Sequence, residues 1–308
     1  MRDNPTQQEL LEVQEYFGLP SPALVEKDWY VVKALAAITA ANVAPFRLVF
    51  GGGTALSRAH GLIRRMSEDI DLKILSDDVP SRKDLKQLRG VVSKALLDAG
   101  FDFDPDNKIY RDSANASRYT IYRLPYKAIN SGEGVLRPQI QIETAYWPMR
   151  RSFEARSVTS FIAEAFKEAA EVPEIACVSI TETAAEKFVA LTRRAGAELA
   201  DAGGPRDSTL VRHIYDLHML REHFDLADVV SLAKEIMVAD AQDFGHQFPA
   251  YRDDPMAETI RAIEGIIADT TFAERYAAFL RDMVYGDKPG FSEATKGIAN
   301  FSKKLNSN

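Results

Sequence analysis

Two stretches decide the reading of this chain: Leu48-Val-Phe-Gly-Gly-Gly-Thr-Ala-Leu-Ser57 and, a short loop later, Met66-Ser-Glu-Asp-Ile-Asp-Leu-Lys73. The β-branched and aromatic run that ends in Gly51, Gly52 and Gly53 reads as a strand entering a tight loop. A short helix is expected over 54–60. Polar and apolar residues then alternate from Asp69 to Leu75, the period of a half-buried strand. Asp69 and Asp71 lie two apart, so their carboxylates leave that strand from one face. Two such carboxylates repel unless a cation neutralises them. Hard oxygen ligands suit Mg²⁺, which takes one or two protein carboxylates plus substrate phosphates. The glycines let backbone N–H groups approach a phosphate closely, and Thr54 or Ser57 opens a helix whose N-terminus favours an anion. A glycine triplet alone is usually a turn, and two aspartates alone are usually a solvated strand face. Combined on a strand–glycine–helix–strand pattern, they are the equipment for phosphoryl or nucleotidyl transfer.

Around this block, strands and helices mix up to about residue 150. Thr6 caps a helix that Gly18 closes, and Ser21-Pro22 starts another that runs to about Ala41. Ser81 and Asp84 form a capping box for a helix that ends at Gly100. Two further strands are expected over 119–126 and 137–146. In the second, Gln139, Gln141 and Glu143 share one face, with Ile140 and Ile142 on the other. Beyond residue 150 the pattern is helical, with candidates over 161–170, 181–202, 209–222, 226–239, 256–269 and 271–284. Gly203-Gly-Pro205 separates the second from the third, and the last dozen residues are expected to fray. The fold class is therefore α/β plus α: a small mixed-sheet domain over 1–150, then a mainly helical domain over 151–308 that closes a nucleotide cleft.

Composition agrees and excludes alternatives. The chain has 308 residues, 46% hydrophobic and 27% charged, which is globular rather than disordered. Its net charge of −7 requires any nucleic-acid contact to come from a local basic patch. The crowded cations Arg58, His60, Arg64 and Arg65, just before Asp69, are the candidate; the alternative is that Arg64 and Arg65 pair with acidic neighbours such as Glu68. The single cysteine, Cys177, rules out an internal disulfide framework, fits a reducing compartment and is expected to be buried rather than nucleophilic. No apolar run suits a signal peptide or a membrane helix, so a cytoplasmic protein is expected. The Gly-rich loop lacks the Gly-Lys-Ser/Thr of a Walker loop. His213, His218 and His223, five apart, share no helical face and read as surface or packing residues.

The strand–Gly-Gly–helix–Asp-x-Asp arrangement resembles the DNA polymerase β-like nucleotidyltransferase superfamily. The longer form, Phe50-Gly-Gly-Gly-Thr-Ala-Leu and then Arg65-Met-Ser-Glu-Asp-Ile-Asp-Leu, resembles the AbiEii/AbiGii toxin family, to which the MenT toxins are related. Glu26-Lys-Asp-Trp-Tyr resembles that family's N-terminal helix. The resemblance spans about residues 20 to 225. The interval from Gly53 to Asp69 is a little longer than in the commonest superfamily pattern.

What the resemblance implies is specific. Asp69 and Asp71 would bind Mg²⁺. Gly52, Gly53, Thr54 and Ser67 would sit by the triphosphate of an NTP. Glu143 is the candidate third carboxylate; its plainer reading is an exposed strand residue. Lys187, in Glu186-Lys-Phe-Val-Ala-Leu, matches a lysine that contacts nucleotide phosphates, with Arg193 or Arg194 beside it. Lys187 is expected on the polar side of an amphipathic helix, so that its truncation opens no core cavity. Asp216, in Tyr215-Asp-Leu, matches an aspartate needed at the active site; otherwise it simply pairs with Arg212 at i,i+4. Arg206, Asp207 and Arg212 are candidates to contact nucleotide or acceptor. The implied reaction moves NMP from an NTP to an acceptor hydroxyl, most plausibly at a tRNA 3′ end. The implied setting is a toxin–antitoxin or phage-defence pair with an AbiEi-like antitoxin. The alternatives are transfer to a protein or small molecule, and a nucleotide-binding regulator without catalysis.

Overall fold

The computed structural model describes residues 3–130, 136–201 and 207–305. The chain divides into two compact units, Met1–Val178 and Ser179–Asn308. The break expected near residue 150 therefore falls inside the first unit, because two further strands join the sheet after that point.

The first unit holds α1 (Gln7–Phe17), α2 (Pro22–Ala40), β1 (Arg47–Gly51), the helical turn α3 (Gly52–Thr54) continuing as a π-turn over Ala55–Ala59, and β2 (Asp69–Leu75). Then follow α4 (Arg82–Asp98), β3 (Arg111–Ala114), β4 (Tyr119–Pro125), β5 (Gln139–Ala145), β6 (Glu154–Val158), α5 (Phe161–Phe166) and β7 (Val172–Cys177). The strands form one mixed seven-stranded sheet in the order β3-β4-β5-β2-β1-β7-β6. The helix expected over 161–170 is shorter, since Lys167 takes the left-handed conformation that ends α5. The capping box at Ser81 forms as its sequence implies, and the Thr6 cap is a capping box as well, completed by Glu9.

In the middle of the sheet, β2 pairs antiparallel with β1 and parallel with β5. Strict alternation gives β2 and β5 one buried face, with Ile70, Leu72, Ile74, Ile140 and Ile142, and one partly open face. Helix α2 packs against β2, β5 and β7. It is buried on nearly every side, including three consecutive charges, Glu26, Lys27 and Asp28.

Burial of charge demands partners, and each of the three finds its own. Glu26 accepts the backbone N–H groups of Ile129 (2.7 Å) and Asn130 (3.0 Å). The Lys27 ammonium donates to the carbonyls of Arg137 and Gln139, both at 2.7 Å, and pairs with Glu68 at 3.1 Å. Burial lowers the Lys27 pKa despite Glu68. Asp28 accepts the Phe161 N–H at 2.7 Å, at the start of α5, and faces Arg58 at 3.6 Å. One helix thus anchors three separate chain crossings.

The second unit contains α6 (Ile180–Leu199), α7 (Arg212–Leu220), α8 (Leu226–Phe244), α9 (Pro249–Asp253), α10 (Pro255–Ala268), α11 (Thr270–Met283) and α12 (Phe291–Leu305). Helix α6 packs against α7, α8 and α10. The expected fraying of the C-terminus is corrected: α12 runs to Leu305 because Ala294, Ile298, Phe301 and Leu305 form a buried stripe, with Phe301 stacked on Phe188 at 4.4 Å. The Gly203-Gly-Pro205 break lies outside the described residues.

Burial raises the Asp28 carboxyl from 3.8 to about 6, against the opposing pull of Arg58. The folded chain therefore holds this proton more tightly than the unfolded chain. The stability Asp28 contributes is fully present below about pH 4 and is lost as pH rises through about 6. Urea denaturation across pH 4–7 should show wild type losing up to about 3 kcal/mol relative to Asp28→Asn over that window. Parallel pH profiles for the two proteins would contradict this.

Candidate active site

Alternation along β2 turns Asp69, Asp71 and Lys73 to the partly open face of the sheet. In the parallel β2–β5 register, Asp71 lies opposite Glu143 and Asp69 opposite Gln141. In the antiparallel β1–β2 register, Asp71 lies opposite Gly51, where the glycine loop begins. The sheet therefore places Asp69, Asp71, Glu143 and Gly51 on neighbouring strands at adjacent register positions.

The glycines serve a closer purpose than loop flexibility. Gly52 has φ +71°, and a Cβ there would stand 1.8 Å from Asp71 Oδ2. The Asp71 carboxylate thus occupies the space a side chain would fill. A Cβ on Gly53 would stand 2.7 Å from Ser67 Oγ and 2.6 Å from Arg65 Nη2. Thr54 is buried; its hydroxyl donates to the Asp69 carbonyl and lies 3.0 Å from Ser67 Oγ. Gly52, Gly53, Thr54 and Ser67 form one knot with the start of β2.

Glu143 is held by neighbours on the same face. Gln141 Nε2 donates to Glu143 Oε1 at 2.9 Å. The Tyr119 hydroxyl also donates to Glu143; burial and then this carboxylate raise the phenol pKa. Asp69 bonds the Arg137 guanidinium. Arg137 N donates to Glu68 Oε2 at 3.0 Å, the same oxygen that Lys27 engages. Sequence reading missed Arg137. It lies two residues ahead of β5, with nothing to signal a carboxylate partner so far away in the chain.

The proposed basic patch dissolves in part. Arg58 lies over the Phe161 ring at 3.8 Å and pairs with Asp28 and Glu164. Arg65 is buried and donates to the Met66 carbonyl at 2.9 Å. His60 Nε2 lies 3.2 Å from the Val178 carbonyl, and burial lowers its pKa. Arg64 alone of the four is exposed. Cys177 is buried, which pushes its thiol up to about 12.

In the second unit, Lys187 on α6 and Asp216 on α7 meet at 2.8 Å, with side-chain exposures of only 8% and 0%. This corrects the expectation that Lys187 lies on an open polar face, and it gives Asp216 a partner on another helix. His213 is buried beside them, neither ring nitrogen has a hydrogen-bond partner among the described residues, and burial followed by Lys187 holds its pKa well below the usual value. His218 is also buried, whereas His223 is exposed. Arg194 pairs with Asp207 at 3.2 Å, and Arg193 with Asp240 at 2.7 Å. Arg206 lies outside the described residues. Among the described residues, no three or more His, Cys, Asp or Glu side chains are gathered into a metal-binding group.

A mixed sheet with a glycine loop packed on a paired-aspartate strand is the architecture of a nucleotidyltransferase. The family model for the nucleotidyl transferase AbiEii toxin of type IV toxin–antitoxin systems matches residues 33–306, and the chain belongs to that family. Among solved structures, the fold is similar to MenT4, a nucleotidyltransferase toxin from Mycobacterium tuberculosis H37Rv. The TM-score is 0.52 at 15% identity, over 97% of this chain and 90% of that one. No curated protein sequence matches the chain.

Lys187→Ala should strip the buried Asp216 carboxylate of this ammonium, destabilising the protein by about 3–5 kcal/mol. The double replacement Lys187→Met with Asp216→Leu should recover most of that loss in urea denaturation, because no unpaired charge remains. Additive losses in the double variant would contradict a coupled pair.

Proposed function

We propose that this protein transfers a nucleoside monophosphate from an NTP to an acceptor hydroxyl, releasing pyrophosphate, and that the acceptor is a tRNA 3′ end. Family membership supports a nucleotidyltransferase toxin. One observation carries the assignment to residues: the Asp71 carboxylate stands where a Gly52 side chain would be, with Asp69 on the same strand face and Glu143 at its register partner.

The donor set fits Mg²⁺. Asp69 and Asp71 offer two hard oxygens from alternate strand positions, and Mg²⁺ takes its remaining ligands from substrate phosphates and water. When bound, the ion would neutralise charge on the triphosphate and the departing pyrophosphate. Glu143, oriented by Gln141 and Tyr119, is placed to complete the site or to take the acceptor hydroxyl's proton. Gly52 and Gly53 bring backbone close to the carboxylates, where the donor's phosphates would lie. Resemblance to the family assigns Lys187 and Asp216 to nucleotide handling. A buried ion pair adds little net stability, which favours a chemical role for them. Arg194 is a proposed nucleotide contact only once released from Asp207.

The family implies an antitoxin partner, which we propose to be AbiEi-like, acting with this toxin in toxin–antitoxin or phage-defence function. An RNA acceptor places the pair in the cytoplasm. Among the described residues, no helix is long and apolar enough to cross a membrane.

Purified protein incubated with each labelled NTP, Mg²⁺ and total tRNA should move label into RNA. Asp69→Ala and Asp71→Ala should each lower transfer by at least about 10²-fold, the scale on which loss of charge stabilisation reduces catalysis, with cooperative unfolding retained. Label entering protein instead would change the acceptor. Full activity in Asp69→Ala would sink the assignment.

A further inference from the structure

The contact between Arg137 and Asp69 has no place in the reaction just described, yet it occupies one of its two proposed metal ligands. The arginine's backbone is fixed on both sides, through its N–H to Glu68 and its carbonyl to the Lys27 ammonium. Its side chain is a different matter: it keeps 38% exposure while it bonds Asp69, which is itself 19% exposed. A firmly seated base thus carries an arm that can leave its partner without disturbing the sheet.

Electrostatics gives the arm a reason to be there. Asp69 and Asp71 share a strand face, and a guanidinium on Asp69 relieves their repulsion in the absence of metal. A divalent cation at Asp69 needs the same oxygens. Arginine and metal therefore exclude one another at that carboxylate. A released guanidinium remains tethered just ahead of β5, two residues before Gln139 and six before Glu143. Its planar fork is suited to bidentate contact with phosphate oxygens.

We propose that Arg137 is the resident counter-ion of Asp69, that it yields this carboxylate to the incoming divalent metal, and that it then contacts the phosphates of the donor nucleotide. The proposal rests on the metal–nucleotide reading above and adds to it a residue and an order of events. No bond is made or broken; the exchange is of ionic partners only. It makes the metal-free chain electrostatically quiet and couples metal entry to nucleotide capture.

Mn²⁺ is the probe, titrated into the intact protein by electron paramagnetic resonance without nucleotide and then with a non-hydrolysable NTP analogue. In Arg137→Gln, Mn²⁺ alone should bind more tightly, by roughly two- to fivefold, the size of a partly exposed ion pair. The analogue, at saturating Mn²⁺, should bind more weakly. Arg137→Lys keeps the charge but lacks the fork, so it should leave Mn²⁺ affinity near wild type and still weaken the analogue; it serves equally well should Arg137→Gln fold poorly. Unchanged or weaker Mn²⁺ binding in Arg137→Gln would overturn the competition, and unchanged analogue affinity in both variants would overturn the phosphate contact. Asp69→Ala separates this proposal from the reading beneath it. If that variant binds Mn²⁺ as wild type does, the metal site itself is misplaced, whatever Arg137 does.

Discussion

Two carboxylates of like charge, Asp69 and Asp71, are held on one face of a central strand, and much of the first unit is arranged around that constraint. Strand geometry forces the shared direction. Arg137 neutralises one carboxylate, and the missing side chain of Gly52 makes room for the other. The approach to the strand is fixed by Glu68, which the buried Lys27 ammonium ties to the carbonyls of Arg137 and Gln139 at the entry to β5. Lys27 is therefore more than a satisfied core cation. It joins helix α2 to Glu68, just ahead of β2, and to Arg137 and Gln139, where β5 begins, so a charge buried in a helix bridges the entries to both strands that carry the carboxylates. A helix buried on nearly all sides needs no polar residue for solubility, which makes its three consecutive charges interpretable as anchors.

The second unit poses a related problem and solves it by pairing. Lys187 and Asp216 come from different helices and meet where solvent is nearly excluded. His213 beside them is kept neutral by burial and by the neighbouring cations. Such pairs contribute little against an apolar replacement but lose heavily when broken singly. Their residues are thus constrained together, and a single substitution reports folding as much as chemistry. Activity lost in a Lys187 variant carries no catalytic meaning until its stability is known.

The sequence announced the centre of the sheet plainly and its edges poorly. Period-two alternation marked β2 and β5, and the glycine run marked the end of β1. β3, Arg-Asp-Ser-Ala, has no apolar residue larger than alanine, and β7 interrupts its alternation with Pro173 and Glu174, so neither displays the strand period. β6, Glu-Ala-Arg-Ser-Val, is an edge strand with mostly exposed positions. Without β6 and β7, the sheet seemed to end near residue 150. The site residues were legible for the same reason as β2: spacing alone puts Asp69 and Asp71 together. Long-range ion pairs are not written in local pattern. Arg58 looked like part of a basic patch, Lys187 looked like a helix surface, and Arg137 drew no notice as a site residue, because each meets a carboxylate far away in sequence. The stripe of α12 was present in Ala294, Ile298, Phe301 and Leu305, but a lysine-rich terminus masked it.

The central claim is that the open face of β2 is where metal and donor nucleotide meet. A crystal structure grown with Mn²⁺ and a non-hydrolysable NTP, with the metal located by its anomalous scattering, tests it most directly. The account predicts a metal peak at about 2.0–2.2 Å from oxygens of both Asp69 and Asp71, with phosphates against Gly52 and Gly53. A nucleotide bound elsewhere, with Asp71 still seated at Gly52 and no metal beside it, would contradict the account.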